Sequence, residues 1–328
     1  MKFIKFNHIV VFGGSQLVLE FLKLLQKKKI KFNYFTNKRQ LNDILINNLS
    51  LKDNLKKNKI NFHITEDINK NKFIEKIFTK KSLGIGIGQP WKYKAKLLKL
   101  MKPNLVDFMG IPMPAYRGGA HYTWMILNEN RDGGCFLQNV NDNTIQGYKD
   151  TNKYFLKKHY RYPKKLLTPK DYFKYSCKIE LQFLVTFLNK INNRSSFNLR
   201  ELSKKNSILF PRLISKINSY INWDLDISEI VKFINAFSDP YPGGQTFLNK
   251  KKIYLKNAEI YKKNNFHSFT SGIITNIFEN KLYICAKGGI FIATYNFSKN
   301  NNIKQLKVGE RFNTDIKYLQ KSKVHQKF

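Results

Sequence analysis

The side chains able to do chemistry are concentrated between Gly84 and Tyr148, where apolar runs give way to polar loops. Gln89 and Trp91 follow one apolar run through a Gly-Gln-Pro break. Arg117, Gly118, His121 and Tyr122 follow a second. The guanidinium of Arg117 suits a phosphate or a carboxylate, or it braces its own loop through backbone carbonyls. His121 is either a base or a loop histidine packed on Tyr122 or Trp124. Gln89 and Trp91 either line a ligand pocket or pack where the next helix begins. Asp142 and Asp150 read as solvated loop acids. Much later, Tyr241 stands between Pro240 and Pro242, where it either stacks on a base or sugar or marks a domain hinge.

These residues need a scaffold, and the pattern supplies one. An apolar strand over 83–87, a basic helix over 92–101 and a second strand over 105–108 follow the grammar of a parallel α/β sheet. Such sheets bind ligands beyond the carboxyl ends of their strands, which puts the informative residues on the loops after Ile87, Phe108 and Val140. Upstream, a strand over 9–12 meets Gly13-Gly14-Ser15 and a helix with apolar residues at helical spacing. That turn lacks the full Gly-x-Gly-x-x-Gly pattern, so it reads as a tight turn into a helix and only weakly as a dinucleotide site. A strand over 30–35, a helix over 38–49, a short strand over 61–64 and a helix ending near 78 complete the alternation.

Beyond Tyr154 the texture changes. Thr168-Pro169-Lys170-Asp171 has the order of an N-cap, a first-turn proline and a first-turn acid, and the helix it opens runs to about 191. A polar stretch at 196–206 reads as a linker. A helix over 227–237 then precedes short strands over 252–255, 272–277, 281–286 and 290–295, the spacing of a small β-barrel. The expectation is a Rossmann-like α/β domain over 1–195, the linker, and a C-terminal domain over 207–328 with a helical junction and a barrel-like sheet.

The chain has 328 residues, 42% of them hydrophobic, enough for two cored domains. Its 59 Lys and Arg against 22 Asp and Glu leave a net charge of +37. That excess would suit nucleic acid, anionic surfaces or phosphorylated small molecules. It is spread along the chain among many Asn and Ile, which reads better as the coding bias of an AT-rich genome. Cys135, Cys177 and Cys285 are far apart and the six histidines are scattered. No disulfide framework, zinc spacing or metal site is expected, and a reducing cytoplasm fits. The first apolar run is too short for a signal peptide, and no stretch reaches the length of a membrane span.

The run LVDFMGIPMPAYRGGAHYTWMILNENRDGGCFLQNV resembles the active-site segment of the formyltransferase family, which uses 10-formyltetrahydrofolate and includes methionyl-tRNA and nucleotide-amino-sugar formyltransferases. Pro114, Tyr116, Arg117-Gly118 and Trp124 match that pattern. Arg161-x-Pro163, Thr168-Pro169-x-Asp171-Tyr172 and the Ala236-Phe237 to Phe247 junction extend the resemblance over most of the chain. The family's catalytic Asn, His and Asp fall here on Asp107, Met109 and Ile145, with Gln146 beside the last. The resemblance implies 10-formyltetrahydrofolate as donor and an amine as acceptor; from their own placement Gln89, Trp91, Arg117, Gly118, Tyr122 and Tyr241 are candidates to bind substrate, and His121 is a candidate displaced base. The Gly-Gln-Pro-Trp strand end, His121-Tyr122-x-Trp124 and Gly133-Gly134-Cys135 favour a nucleotide-linked amino sugar over initiator tRNA. A catalytically silent binding or regulatory relative and a tRNA binder are the alternatives, and assembly into a homo-oligomer is left open.

Overall fold

The computed structural model describes residues 2, 3, 5–140, 153–203, 205, 207–298 and 306–324. Strand β1 (His8–Gly13) is wholly buried and stops at Gly13, whose φ is 122°. Only glycine fits there, because a methyl on Gly13 would stand 2.0 Å from the Ile87 carbonyl oxygen. Ser15 then caps α1 (Gln16–Lys27) by accepting the Val18 N–H at 3.2 Å. Tyr34 donates to the Gly13 carbonyl, and Gln40 packs within 2.7 Å of where a Gly14 side chain would begin. Protein side chains thus fill the space over this turn.

After β2 (Phe32–Thr36) the single helix expected over 38–49 is not formed. α2 (Lys38–Leu41) lasts one turn, and α3 (Leu51–Lys57) begins anew behind a Ser50 cap. Asparagines account for the break. Asn48 takes a left-handed φ of 63°, and the Asn47 and Asn54 amides bond to each other. β3 (His63–Ile64), α4 (Lys72–Ile77), β4 (Ser82–Ile87), α5 (Ala95–Met101) and β5 (Leu105–Met109) follow. α5 starts at 95 and not at 92 because Trp91 and Tyr93 alternate inward from an extended segment before the helix begins.

The chain continues through β6 (Arg117–Gly118), α6 (His121–Leu127), β7 (Asp132–Asn139), β8 (Lys153–Tyr154), β9 (Leu156–Arg161) and α7 (Pro169–Asn192). Next come β10 (Arg200–Glu201), β11 (Leu209–Phe210), α8 (Ser215–Asn218), α9 (Ile227–Ala236), β12 (Gly244–Leu248), β13 (Lys251–Lys263), β14 (Ile274–Phe278), β15 (Lys281–Ala286), β16 (Gly289–Phe297) and α10 (Ile316–Lys323). Packing divides the chain into two compact units. One holds Met1–Arg117, Asp132–Arg161 and Lys174–Ile208; the other holds Gly118–Arg131, Tyr162–Phe173 and Leu209–Phe328. The division is therefore not a single cut near 196–206. Phe197, inside that polar stretch, packs against Phe3, Phe155 and Phe187 in the first unit.

The first unit is a seven-stranded sheet in the order β3-β2-β1-β4-β5-β7-β9. Strands β3 to β5 are parallel; β7 runs antiparallel to β5, and β9 antiparallel to β7. Both faces are covered. Ile9, Val11, Ile85, Val106 and Phe108 share one core with Leu22, Leu184 and Phe187. Val10, Phe12, Leu105 and Val140 share another with Trp91, Tyr93, Leu97 and Met101. Burial on both faces is why these strands read as unbroken apolar runs.

The second unit is a five-stranded antiparallel sheet in the order β12-β13-β16-β15-β14. Residues 310–313 reach both of its edges. Phe247 and Asn313 exchange backbone bonds at 2.9 Å, while Ile274 donates to Glu310 and Phe312 to Gly272. These bonds close the sheet in the manner of a small barrel. Ile227, Ile230 and Ile234 of α9 seal its apolar side with Trp223, Phe291 and Phe312. Among the described residues no helix is long and apolar enough to cross a membrane.

Candidate functional site

On β4, leucine and isoleucine alternate with glycine. Leu83, Ile85 and Ile87 fill the α1 and α7 face, while Gly84 and Gly86 leave a trough on the other. Leu105, Phe78 and Phe12 occupy the trough over Gly84. Over Gly86 lies Asp107: a methyl on that glycine would stand 3.0 Å from Asp107 Oδ1 and 3.0 Å from the Gln89 side chain.

Asp107 is 8% exposed, and its strand neighbours are Gly86 on β4 and Gln138 on β7. Gln138, 1% exposed, donates from Nε2 to Asp107 Oδ2 at 3.0 Å. Burial pushes the Asp107 carboxyl up to about 7, and the Gln138 bond limits the rise. The acid is therefore uncharged for much of the time near neutrality, and a neutral carboxylic acid can donate. Among the described residues, two sealed polar atoms on this face of the sheet have no hydrogen-bond partner: Gln138 Oε1 and the Tyr93 hydroxyl. Burial raises the Tyr93 phenol well above its usual range, and the Asp107 charge adds to the effect.

The other expected residues of this unit have more structural placements. Met109 ends β5, partly buried, opposite Phe136. Trp91 is buried, and its indole N–H donates to the Glu66 carbonyl. Gln89 folds back to accept the Trp91 N–H at 3.0 Å. Arg117 donates from Nη1 to Ser207 Oγ at 2.9 Å, and its backbone N–H donates to the Ile208 carbonyl. Ile145, Gln146, Asp142 and Asp150 lie outside the described residues.

The remaining candidates belong to the second unit. Gly118, with φ 103°, lies so close to the Phe210 carbonyl that only glycine fits. His121 opens α6, its ring centroid 3.9 Å from that of Tyr122. Its Nε2 is sealed without a partner, and burial pushes the imidazole down to about 4, so it is neutral at physiological pH. Tyr122 meets Tyr162, Tyr172 and Phe173 in an aromatic cluster. Tyr241 is partly buried; burial raises its phenol, and a hydrogen bond with Thr123 opposes the rise. The candidates thus form two groups, one in each unit. Among the described residues no cluster of His, Cys, Asp and Glu could hold a metal ion.

Gln138 and Tyr93 were not expected at the site. Gln138 is a polar residue inside an otherwise apolar buried run, just before Asn139 at the strand end, a pattern that marks it for scrutiny. Its partner becomes visible only once the register of β5 and β7 is known.

Residues 213–311 match the formyl transferase C-terminal domain family. Among curated proteins the chain is 25% identical over 202 residues to a methionyl-tRNA formyltransferase of Malacoplasma penetrans (strain HF-2), covering 61% of this chain and 57% of that protein. It is 24% identical over 206 residues to the bifunctional polymyxin resistance protein ArnA of Wigglesworthia glossinidia brevipalpis, covering 62% and 30%. The chain thus spans about half or less of the length of these relatives. Among solved structures it resembles WlaRD, a sugar 3N-formyl transferase solved with dTDP and 5-N-formyl-THF. The identity is 18% and the TM-score 0.59, with 92% of this chain and 100% of that one covered. An N-formyltransferase from Helicobacter canadensis, solved with folinic acid and dTDP-3-aminofucose, gives 18%, 0.59, 89% and 100%. These structural likenesses show the fold. Residues 213–311 thus carry a formyl transferase C-terminal domain, and the chain resembles formyltransferases in sequence and in fold.

Proposed function

We propose that this chain transfers a formyl group from 10-formyltetrahydrofolate to the amine of a nucleotide-linked amino sugar, with neutral Asp107 as the donor to the developing oxyanion. The observation that carries the reading is the buried Asp107–Gln138 pair within β5 and β7. An ionised aspartate there would repel an oxyanion, whereas a protonated one donates to it. As the amine nitrogen adds to the formyl carbon, the carbonyl oxygen gains charge and Asp107 offers it a hydrogen bond. Collapse breaks the bond between that carbon and the folate nitrogen, and the amine's proton ends on the folate nitrogen. The unpartnered Gln138 Oε1 and Tyr93 hydroxyl suit a polar ligand at this strand end. The two sugar N-formyltransferase neighbours, solved with dTDP or a dTDP-sugar, support the acceptor class. The dispersed buried thiols fit a reducing cytoplasm.

A second reading rests on Met109, whose thioether brings no proton to the position where the family has histidine. In that reading the chain binds folate or nucleotide sugar without turnover. A tRNA acceptor is supported by the net charge and by the methionyl-tRNA formyltransferase relatives. Purified protein incubated with 10-formyltetrahydrofolate and a panel of dTDP-amino sugars or aminoacylated initiator tRNA, with products read by mass spectrometry, separates the three. Formylated sugar supports the proposal. Folate binding without product supports the silent reading, and formylated tRNA, in a reaction suppressed steeply by salt, supports the third.

A further inference from the structure

Asp107 is gripped from both flanking strands. Gln138 stands opposite it on β7 and Gly86 on β4. Among the described residues Gln138 is the hydrogen-bond partner of the carboxyl, and it approaches Oδ2. Oδ1 is turned the other way, over Gly86, into the space that a side chain at 86 would fill. The rest of the Gln138 amide does nothing comparable, since its Oε1 is sealed without a partner. A buried amide that makes one strong contact and leaves its carbonyl orphaned contributes little net stability. Its presence is better explained by the group it holds.

We propose that Gln138 is a positioning residue for Asp107: its amide N–H pins Oδ2, turns Oδ1 over Gly86 and so assigns the acid proton to Oδ1, the oxygen facing the end of β4. The assignment follows from donor and acceptor roles. An N–H cannot donate to an oxygen that is itself presenting a proton along the same line, so the neutral acid carries its proton on the other oxygen. The inference rests on reading Asp107 as the neutral donor for formyl transfer. Tyr93 is the other titratable group facing this carboxyl, and its phenol stays protonated well above the range in question.

The test is infrared difference spectroscopy during a pH titration of the full chain. The band of the protonated carboxyl is identified by its loss in Asp107→Asn. Wild type should titrate near neutrality. Gln138→Leu removes a donor that favours the carboxylate, so the midpoint should rise by about one pH unit, and the carbonyl band should shift as the remaining acid loses its fixed partner. Gln138→Met, of closer shape, serves if the leucine variant does not fold. Where turnover is measurable, the alkaline limb of the rate should move with the same midpoint, a change that a purely structural role for Gln138 would not produce. An Asp107 midpoint near 4 in wild type overturns the neutral-donor reading itself. A wild-type midpoint near 7 that stays put in a folded Gln138 variant overturns this inference alone.

Discussion

Glu180 reaches the carboxyl end of β5 from the face opposite Asp107. Its Oε1 lies 2.9 Å from where a side chain on Gly110 would begin, beside Phe108. It accepts a hydrogen bond from the Tyr160 hydroxyl at 3.1 Å. Burial pushes this carboxyl, like that of Asp107, up to about 7, with the Tyr160 bond opposing the rise. The same strand end therefore carries a reluctant acid on each side.

Both acids should shape stability against pH. Each binds its proton more tightly in the folded chain than in the unfolded one. The folded state therefore holds more protons between about pH 4 and 7, and stability falls as pH rises through that window. Asp107→Asn and Glu180→Gln should each remove part of the slope, raising Tm at pH 8 relative to wild type and changing it little at pH 4. At ~1.4 kcal/mol per tenfold change in proton affinity, each gain is capped at roughly 3–4 kcal/mol. Thermal melts from pH 4 to 8 check this; parallel curves for wild type and variants would contradict it.

Gly13→Ala should destabilise the first unit. The position combines a φ of 122° with a Cβ site 2.0 Å from the Ile87 carbonyl. Backbone strain of this kind costs on the order of 1–3 kcal/mol, and displacing Ile87 at the end of β4 adds to it. Urea melts of the variant should show a lower midpoint at an unchanged slope.

Thr168→Ala should cost about 1 kcal/mol. Thr168 Oγ1 accepts the Asp171 N–H at 3.2 Å, and the Asp171 carboxylate accepts the Thr168 N–H at 3.1 Å, a reciprocal cap at the start of α7. Thr168→Ser, which keeps the hydroxyl, should restore most of the loss in the same melt.

Asn235→Leu should cost about 2–3 kcal/mol by leaving buried backbone groups without partners. The Asn235 amide both donates to the Ala258 carbonyl and accepts its N–H, each at 2.8 Å, where β13 shifts register between Lys256 and Glu259. Hydrogen exchange should speed up first around Ala258.

Much of this was legible in sequence, for reasons that can be named. The parallel strands announce themselves because both faces are buried, and the α7 cap because Thr-Pro-Lys-Asp is a local code. Asp107 could be placed within a strand because apolar residues flank it. Three features could not be read. Breaking 38–49 depended on an asparagine pair that forms only when 47 and 54 meet. The Asp107–Gln138 pair depended on the antiparallel register of β5 and β7, 31 positions apart in sequence. His121, four residues after Arg117, falls in the other packing unit because α6 joins α9, with Thr123 Oγ1 donating to the Ala236 carbonyl at 3.0 Å. Neighbours in sequence need not share a core.

The most direct measurement of the central claim is the rate of formyl transfer to a dTDP-amino sugar by wild type and Asp107→Asn across pH 5.5 to 8.5, taken as a ratio. The ratio cancels the titration of the shared amine. Asparagine is a permanent neutral donor, whereas Asp107 loses its proton near pH 7, so the variant-to-wild-type ratio should climb through neutrality to about tenfold by pH 8. A flat ratio, or a variant without activity beside an active wild type, would contradict the neutral-donor account.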